Sequence, residues 1–179
     1  MGYAIEMTFD AETEKRHRAL WRALAEAGIS SSMVDLGGRP HVSLAVLEHA
    51  DAAAVSALTE AWAAGTPPFT IRFGSVGAFP GEEGVVFIAP VVTGELLALH
   101  ARCHALLAEA GLESWPYYLP DAWVPHCTAA VLLPPDKVGA AVGHCQASDV
   151  FGPGEVTGVS VVTFRPVKER ARFSLGGAA

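Results

Sequence analysis

The sequence predicts an α+β fold, and three observations support that prediction. Of its 179 residues, 51% are hydrophobic and 17% are charged, which is typical of a globular chain with a sizeable core. Strand-like and helix-like segments alternate, and the order strand, helix, strand, helix, strand occurs once in each half. One short pattern, Pro-His-x-[Ser/Thr], also occurs once in each half. We therefore expect one domain, or two tightly joined half-domains.

In the first half, Tyr3–Phe9 mixes β-branched, aromatic and other apolar residues and predicts a strand. Asp10 is a suitable N-cap for the next helix, which Gly28 ends, and helical spacing puts His17 on its solvent-facing side. The polar stretch 30–39 predicts a short strand or loop. The other elements predicted here are a strand at 41–47, a helix at 51–64 and a strand at 69–73.

In the second half, a turn at 77–81 precedes a strand at 84–89, and Thr93 is an N-cap for a helix that runs to Glu109. The aromatic segment 112–121 leads to the second copy of the short pattern, and a short helix is expected before Asp149. The last predicted elements are strands at 156–166 and 171–175, a charged turn between them at 168–170, and a tail at 176–179.

The repeated pattern occurs as Pro40-His41-Val42-Ser43 and as Pro125-His126-Cys127-Thr128. Successive side chains of a strand point to opposite faces, so the histidine and the hydroxyl residue of each copy share one face. Proline is tolerated at the first residue of a strand and marks where each strand begins. With 7 histidines and 12 prolines in the chain, two copies would arise by chance about once in a thousand sequences. Each copy therefore offers one imidazole and one hydroxyl group to a cleft.

Paired His-x-[Ser/Thr] strands, here with His41 and His126 separated by 85 positions, resemble the 2H phosphoesterases. That group includes bacterial 2′-5′ RNA ligases and cyclic nucleotide phosphodiesterases. The resemblance implies a single domain over residues 1–179 with a bilobal, duplicated α+β fold. In this fold two similar lobes of antiparallel sheet, with outer helices, face each other across a central cleft. Sequence similarity between the halves stops at the motifs, so the duplication is an expectation from the family.

The resemblance also implies a metal-independent phosphodiesterase without a cofactor. Its substrates would be 2′,3′-cyclic or 2′-5′ phosphodiesters of nucleotides or short RNA ends, and the reverse reaction would be 2′-5′ ligation. His41 and His126 would act as acid and base, in an order that the sequence leaves open. Ser43 and Thr128 would donate hydrogen bonds to the phosphoryl oxygens. The alternative is a non-catalytic nucleotide- or RNA-binding module that retains the cleft.

Four further residues are candidates for substrate contact. Phe79, Tyr118 and Trp123 have aromatic faces that can stack on a nucleobase, although core or loop packing is the alternative for each. Arg39, which precedes the first motif, can pair with phosphate or with another group at the surface.

A different possibility is a metal-dependent hydrolase that uses His100 and His104, which are four residues apart on a predicted helix. No third ligand stands at an informative spacing, so we expect a partly exposed helix face and no metal. Cys127 lies between a motif histidine and a motif threonine, and strand alternation predicts that it faces the core as an inert thiol.

The net charge of −7 argues against broad binding to long nucleic acid, which requires neutralisation of many phosphates. The expected partner is a small nucleotide or an RNA terminus with a cyclic phosphate. Three cysteines without zinc-site spacing indicate a reduced, cytoplasmic setting. No apolar run is as long as a membrane helix, so no membrane partner is expected. We expect a monomer.

Overall fold

The computed structural model describes residues 2–164 and 166–176. These residues form seven strands and five α-helices. The strands are β1 Tyr3–Phe9, β2 His41–Leu47, β3 Phe69–Phe79, β4 Gly84–Pro90, β5 Cys127–Leu133, β6 Gly152–Phe164 and β7 Val167–Ser174. The helices are α1 Ala11–Glu26, α2 Ser32–Leu36, α3 Ala52–Ala64, α4 Gly94–Glu109 and α5 Val138–Gln146. No helix among the described residues is long and apolar enough to cross a membrane.

All strands pair antiparallel in one sheet with the order β2-β1-β6-β3-β4-β5, and β7 pairs with β6. The strand order is symmetric. Exchanging β1 with β4, β2 with β5 and β3 with β6 gives the same order when the sheet is followed from its opposite edge. The first parts of β3 and β6 pair with each other at 69–73 and 152–156, and their later parts pair within separate halves of the sheet. The predicted α+β fold with two similar lobes is confirmed.

We define lobe 1 as β1, β2, β7 and the later part of β6, and lobe 2 as β4, β5 and the later part of β3. The helices α3 and α4 pack on lobe 1, whereas α1, α2 and α5 pack mainly on lobe 2. Both α1 and α4 leave one lobe and cover the other, because α1 follows β1 and α4 follows β4. The lobes are therefore joined by exchanged helices as well as by the β3–β6 pairing.

The sequence predicted the capped helices well, but the structure corrects several other elements. The stretch 30–39, predicted as a strand or loop, contains helix α2, whose first turn is braced by a hydrogen bond from Ser31 Oγ to Asp35. The strand predicted at 69–73 continues to Phe79, because its second part pairs with β4. The predicted turn 77–81 is therefore partly strand.

The C-terminal hairpin also differs from its prediction. Strand β6 begins at Gly152, and β7 begins at Val167, so the charged residues 168–170 lie in a strand and not in a turn. Among the described residues β7 pairs with β6 alone, so its charged side chains can face solvent at the sheet edge. Of the predicted tail at 176–179, residues 177–179 lie outside the described residues.

The prediction that His17 faces solvent is wrong. Its side chain is 1% exposed, and its ring packs against Phe73 and Phe9 at centroid distances of 4.5 and 5.9 Å. Burial, with a smaller contribution from the charge of Arg16, lowers the pKa of His17 to about 4. The periodicity of the sequence indicates that α1 is a helix. It does not indicate that α1 packs against a lobe whose strands come later in the chain.

The N-terminus of α1 is tied to β6 through Asp10. Its carboxylate accepts hydrogen bonds from the amides of Glu12, Thr13 and Glu155 at 2.8–3.0 Å, and from Thr13 Oγ1 at 2.6 Å. Desolvation alone would raise the pKa of Asp10, but these hydrogen bonds outweigh it and lower the pKa to about 2. The resulting stabilisation is present above the ordinary pKa of the carboxyl group, 3.8, and is lost as the pH falls towards 2.

We expect Asp10→Ala to lower the free energy of unfolding by about 1–3 kcal/mol at neutral pH, because α1 loses its cap and its tie to β6. Asp51→Ala, which removes one N-cap bond to Ala54, is the control and should cost about 1 kcal/mol. Urea unfolding over a range of pH should show the Asp10→Ala deficit shrinking below about pH 4. A deficit that is constant with pH would contradict this role for Asp10.

Candidate active site

The two motif strands, β2 and β5, are the terminal strands of the sheet path. In each strand the pairing register skips one residue directly after the motif hydroxyl, at Leu44 in β2 and at Ala129 in β5. Such β-bulges bend a strand, re-aim its side chains and are frequent beside active sites. The two halves therefore have the same irregularity at the same place in the motif.

Each motif strand accepts a hydrogen bond from the indole N–H group of a tryptophan that lies outside the sheet. Trp123 Nε1 donates to the carbonyl oxygen of Ser43 at 3.0 Å, and Trp21 Nε1 donates to the carbonyl oxygen of Thr128 at 2.9 Å. Trp21 lies on α1, and Trp123 lies between α4 and β5. A carbonyl at a buried strand edge needs such a donor, so these bonds fix both motif hydroxyl residues.

The two motif histidines are oriented by matching backbone hydrogen bonds. His41 Nδ1 lies 2.6 Å from the carbonyl oxygen of Arg39, and His126 Nδ1 lies 2.7 Å from that of Val124. A carbonyl oxygen can only accept, so Nδ1 carries a proton and donates in both rings. Nε2 is then the atom of each ring that is left to gain or lose a proton during a reaction.

The surroundings of the two rings are unlike. His41 Nδ1 lies 3.4 Å from the carboxylate of Glu6, which is 8% exposed. His126 instead packs against Phe79 and Phe87, at centroid distances of 4.9 and 5.3 Å. Desolvation lowers the pKa of His126, and the charge of His41 lowers it further.

A cavity of about 410 Å³ opens beside His41 and Thr128. Its walls combine apolar side chains with charged and polar ones from β1, β6 and β7. The apolar part includes Met33, Val131, Val162 and Phe164, and the polar part includes Glu6, Ser160, Lys168, Glu169 and Arg172. This combination suits a ligand with an apolar ring and an anionic group.

Each candidate substrate residue has a definite position. Phe79 lies against Phe87 and His126. One face of Trp123 stacks on His100 at a centroid distance of 3.9 Å and an interplanar angle of 4°. Tyr118 is half-buried, and desolvation followed by the charge of Glu6 raises its pKa. Arg39 lines the cavity but also forms an ion pair with Glu14.

The histidine pair on α4 supports the first motif from behind. His100 Nε2 lies 3.1 Å from the carbonyl oxygen of Leu44 and 2.9 Å from that of Tyr118, and His104 Nε2 lies 3.2 Å from the Leu44 oxygen. Burial, followed by the charge of His104, lowers the pKa of His100 to about 4. The prediction of a partly exposed face is wrong for His100, which is 2% exposed.

The Nε2–H groups of His100 and His104 both donate hydrogen bonds to backbone carbonyl oxygens. Within residues 2–164 and 166–176, no three His, Cys, Asp or Glu side chains are grouped so that they could hold a metal ion. Cys127 is buried, as its strand position predicted, and desolvation raises the pKa of its thiol to about 12.

Sequence reasoning missed three residues that shape the site: Glu6, Trp21 and Phe87. Glu6 could have been found, because it is an acidic residue in the middle of an otherwise mostly apolar strand. The other two are ordinary members of an amphipathic helix and a buried strand. Their roles follow from cross-lobe packing and strand register, which no local pattern encodes.

Comparison with known proteins first defines the class of fold. E. coli LigT in complex with 3′-AMP has 20% sequence identity and a TM-score of 0.59, with 97% of each chain covered. TT0787 of Thermus thermophilus has 19% identity and a TM-score of 0.65 over 100% of both chains. Usb1 of Kluyveromyces marxianus has 9% identity and a TM-score of 0.51, with 94% of this chain and 96% of that chain covered.

The sequence then identifies the family. A family model described as the 2′-5′ RNA ligase superfamily matches residues 14–166. The chain therefore belongs to this superfamily of 2H phosphoesterases, and the resemblance inferred from its two motifs is confirmed. No curated protein sequence gives a significant match.

The hydrogen bonds from Trp21 and Trp123 to the motif strands can each be tested by one substitution. We expect Trp21→Phe and Trp123→Phe each to lower the free energy of unfolding by about 1–2 kcal/mol, because each leaves a strand carbonyl without this donor while retaining an aromatic ring. Trp62→Phe, which removes a similar donor to Leu99 on α4, is the control for stability alone. Amide hydrogen exchange should increase in β5 for Trp21→Phe and in β2 for Trp123→Phe. Exchange that increases equally in both strands would contradict local anchoring.

Proposed function

We propose that this protein is a metal-independent phosphodiesterase acting on 2′,3′-cyclic or 2′-5′ phosphodiesters of nucleotides or short RNA ends. The observation that supports this proposal most strongly is the matched geometry of His41 and His126. Each ring is anchored through Nδ1 to the carbonyl oxygen two residues earlier, which leaves Nε2 for proton transfer. Family membership supports the same reaction class.

The proposed hydrolysis needs one base and one acid. One histidine removes a proton from water while the water oxygen bonds to phosphorus. The other histidine gives its Nε2 proton to the departing ribose oxygen as the P–O bond breaks, so the cyclic phosphate opens to a phosphomonoester. With a 5′-hydroxyl group in place of water, the same pair would form a 2′-5′ linkage. The 5′ oxygen loses its proton and bonds to the phosphorus of the 2′,3′-cyclic phosphate, the P–O3′ bond breaks, and the 3′ oxygen takes a proton. Neither direction requires a metal ion.

Ser43 and Thr128 are proposed to stabilise the negative charge that develops on the phosphoryl oxygens. They occupy equivalent places in the two motifs, each followed by a bulge and each held by an indole through its carbonyl group. This backbone anchoring keeps a donor in place before the charge develops, which is the condition for an efficient oxyanion site.

For the substrate we propose a small nucleotide or an RNA terminus, bound by one molecule of this single-domain protein. The cavity has room for a nucleoside, and Arg39, which lines it, is proposed to contact that ligand. Tyr118, which is near enough to Glu6 for its charge to raise the pKa of Tyr118, is proposed as a second contact. Contact by Trp123 would use the ring face opposite His100, and Phe79 would act beside His126. LigT has been solved with 3′-AMP, ATP and NADP+, which favours nucleotide recognition. A cytoplasmic location stays a prediction.

We expect His41→Ala and His126→Ala each to reduce kcat for 2′,3′-cyclic nucleotides by about 10²–10⁴-fold, because each removes one proton-transfer group. The assay measures phosphomonoester release in the presence of a chelator and identifies the 2′- or 3′-phosphate product. His144→Ala, on the exposed side of α5, is the control and should retain full activity.

Three results would contradict the proposal. They are wild-type turnover in either motif variant, loss of turnover with chelator, and undiminished nucleotide binding without turnover of any cyclic phosphate. The last result would favour the non-catalytic binding module.

The hydroxyl role is tested separately at position 128. Thr128→Val removes the hydroxyl group with little change in shape and should lower kcat by about 10-fold to 10³-fold. Thr128→Ser retains the donor and should remain within a few-fold of wild type. Steady-state kinetics on the same cyclic nucleotide compare the two, and equal activity of both variants would refute a phosphate-binding hydroxyl.

A further inference from the structure

The two lobes match at the motifs but differ at one aligned position. In lobe 1 the residue of β1 paired with the motif hydroxyl Ser43 is Glu6. In lobe 2 the residue of β4 paired with the motif hydroxyl Thr128 is Phe87. The same place beside the motif therefore holds a carboxylate in one lobe and a phenyl ring in the other.

This difference gives the two histidines unlike electrostatic surroundings. The Glu6 carboxylate lies 3.4 Å from His41 Nδ1, on the side of the ring away from Nε2. A carboxylate in that position stabilises an imidazolium, as it does behind the histidine of a catalytic triad. The rings of Phe79 and Phe87 provide His126 with no charge to balance an imidazolium.

We propose that Glu6 is a positioning residue whose carboxylate, beside His41 Nδ1, balances the charge of an imidazolium at His41, so that His41 is the proton donor and His126 the proton acceptor in hydrolysis. This assignment rests on the proposed phosphodiesterase function. In the step itself, His126 Nε2 takes a proton from water, and His41 Nε2 gives its proton to the ribose oxygen that leaves phosphorus. Glu6 does not touch the reacting atoms.

Other charged and titratable groups also face Glu6 and His41. They are Arg39 before β2, Tyr118 in the aromatic segment, His126 and Cys127 of the second motif, and Lys168, Glu169 and Arg172 on β7. Glu169 is engaged by Ser160 Oγ at 3.1 Å and by Arg172. Desolvation raises the pKa of Glu6 and Glu169 adds to the rise, whereas His41 lowers it. The contact with His41 therefore favours the ionised form of Glu6 against the effect of burial.

The position of the cavity agrees with this assignment. The cavity of about 410 Å³ is lined by His41 and Thr128, with the apolar side chains of Met33, Val131 and Phe164 further along. When a cyclic phosphate opens, one ribose oxygen leaves phosphorus and the nucleoside stays attached to phosphorus through the other ribose oxygen. His41 lines the cavity, so it lies beside a nucleoside bound there and can give its proton to that ribose oxygen.

A sulfur-substituted substrate tests which histidine protonates the leaving atom. When the bridging oxygen that leaves phosphorus is replaced by sulfur, the departing thiolate needs no proton. We expect the defect of His41→Ala to shrink by at least about tenfold on this substrate, and the defect of His126→Ala to stay the same. Relief of the His126→Ala defect instead would overturn the assignment.

The role of Glu6 is tested by the pH profile of kcat/KM. Glu6→Gln should shift the alkaline limb to lower pH by about one unit, because the neutral amide no longer favours protonated His41, and should leave the acidic limb in place. Glu6→Asp should restore part of the shift. The Glu6→Gln defect should also shrink with the sulfur substrate, which a purely structural defect would not do.

Glu48→Gln removes the same charge from an exposed site after β2 and should have the wild-type profile. An unshifted alkaline limb in Glu6→Gln would refute the inference while wild-type turnover upholds the phosphodiesterase. Absence of turnover by wild type on the oxygen substrate would overturn the proposed function, and the assignment with it.

Discussion

The motifs lie on terminal strands of the sheet, and the need to satisfy the outer carbonyl groups of these strands is the constraint on which the site depends. Trp21 and Trp123 satisfy the carbonyl groups of the two motif hydroxyl residues, and His100 satisfies that of Leu44 at the first bulge. These donors come from helices and connections that cross between lobes. Placement of the motifs therefore depends on the packing of the exchanged helices.

The structure combines near symmetry with a single chemical difference. Equivalent strands, bulges, indole bonds and Nδ1 anchors present the two histidines in the same way. Two identical imidazoles would have no preferred direction of proton transfer. The exchange of a carboxylate for a phenyl ring, Glu6 for Phe87, is the proposed source of that direction.

Local sequence signals were sufficient for the elements that local physics determines. The caps Asp10 and Thr93 and the strand Tyr3–Phe9 were predicted because hydrogen-bonding side chains and short-range periodicity define them. The burial of His17 could not be predicted, because it depends on strands far along the chain. The order of strands and the two bulges are likewise properties of pairing.

The same distinction holds for the site. The motif histidines and hydroxyls were selected as candidates because the pattern repeats, whereas their anchors and their unlike surroundings arise from register and cross-lobe packing. Trp123 was selected as an aromatic platform, and the structure adds a supporting role for it behind Ser43. Chemistry visible in single residues was predictable, and support provided by distant residues was not.

The most direct test of the central claim is a ¹⁵N NMR titration of the histidine rings with a nucleoside 3′-monophosphate. If both histidines act on one phosphorus, one equivalent of ligand should shift the Nε2 resonances of His41 and His126 together, with the same dissociation constant. The exposed His144 provides an unshifted reference in the same spectrum. A ligand that shifts one motif histidine and leaves the other unchanged would contradict catalysis by a histidine pair.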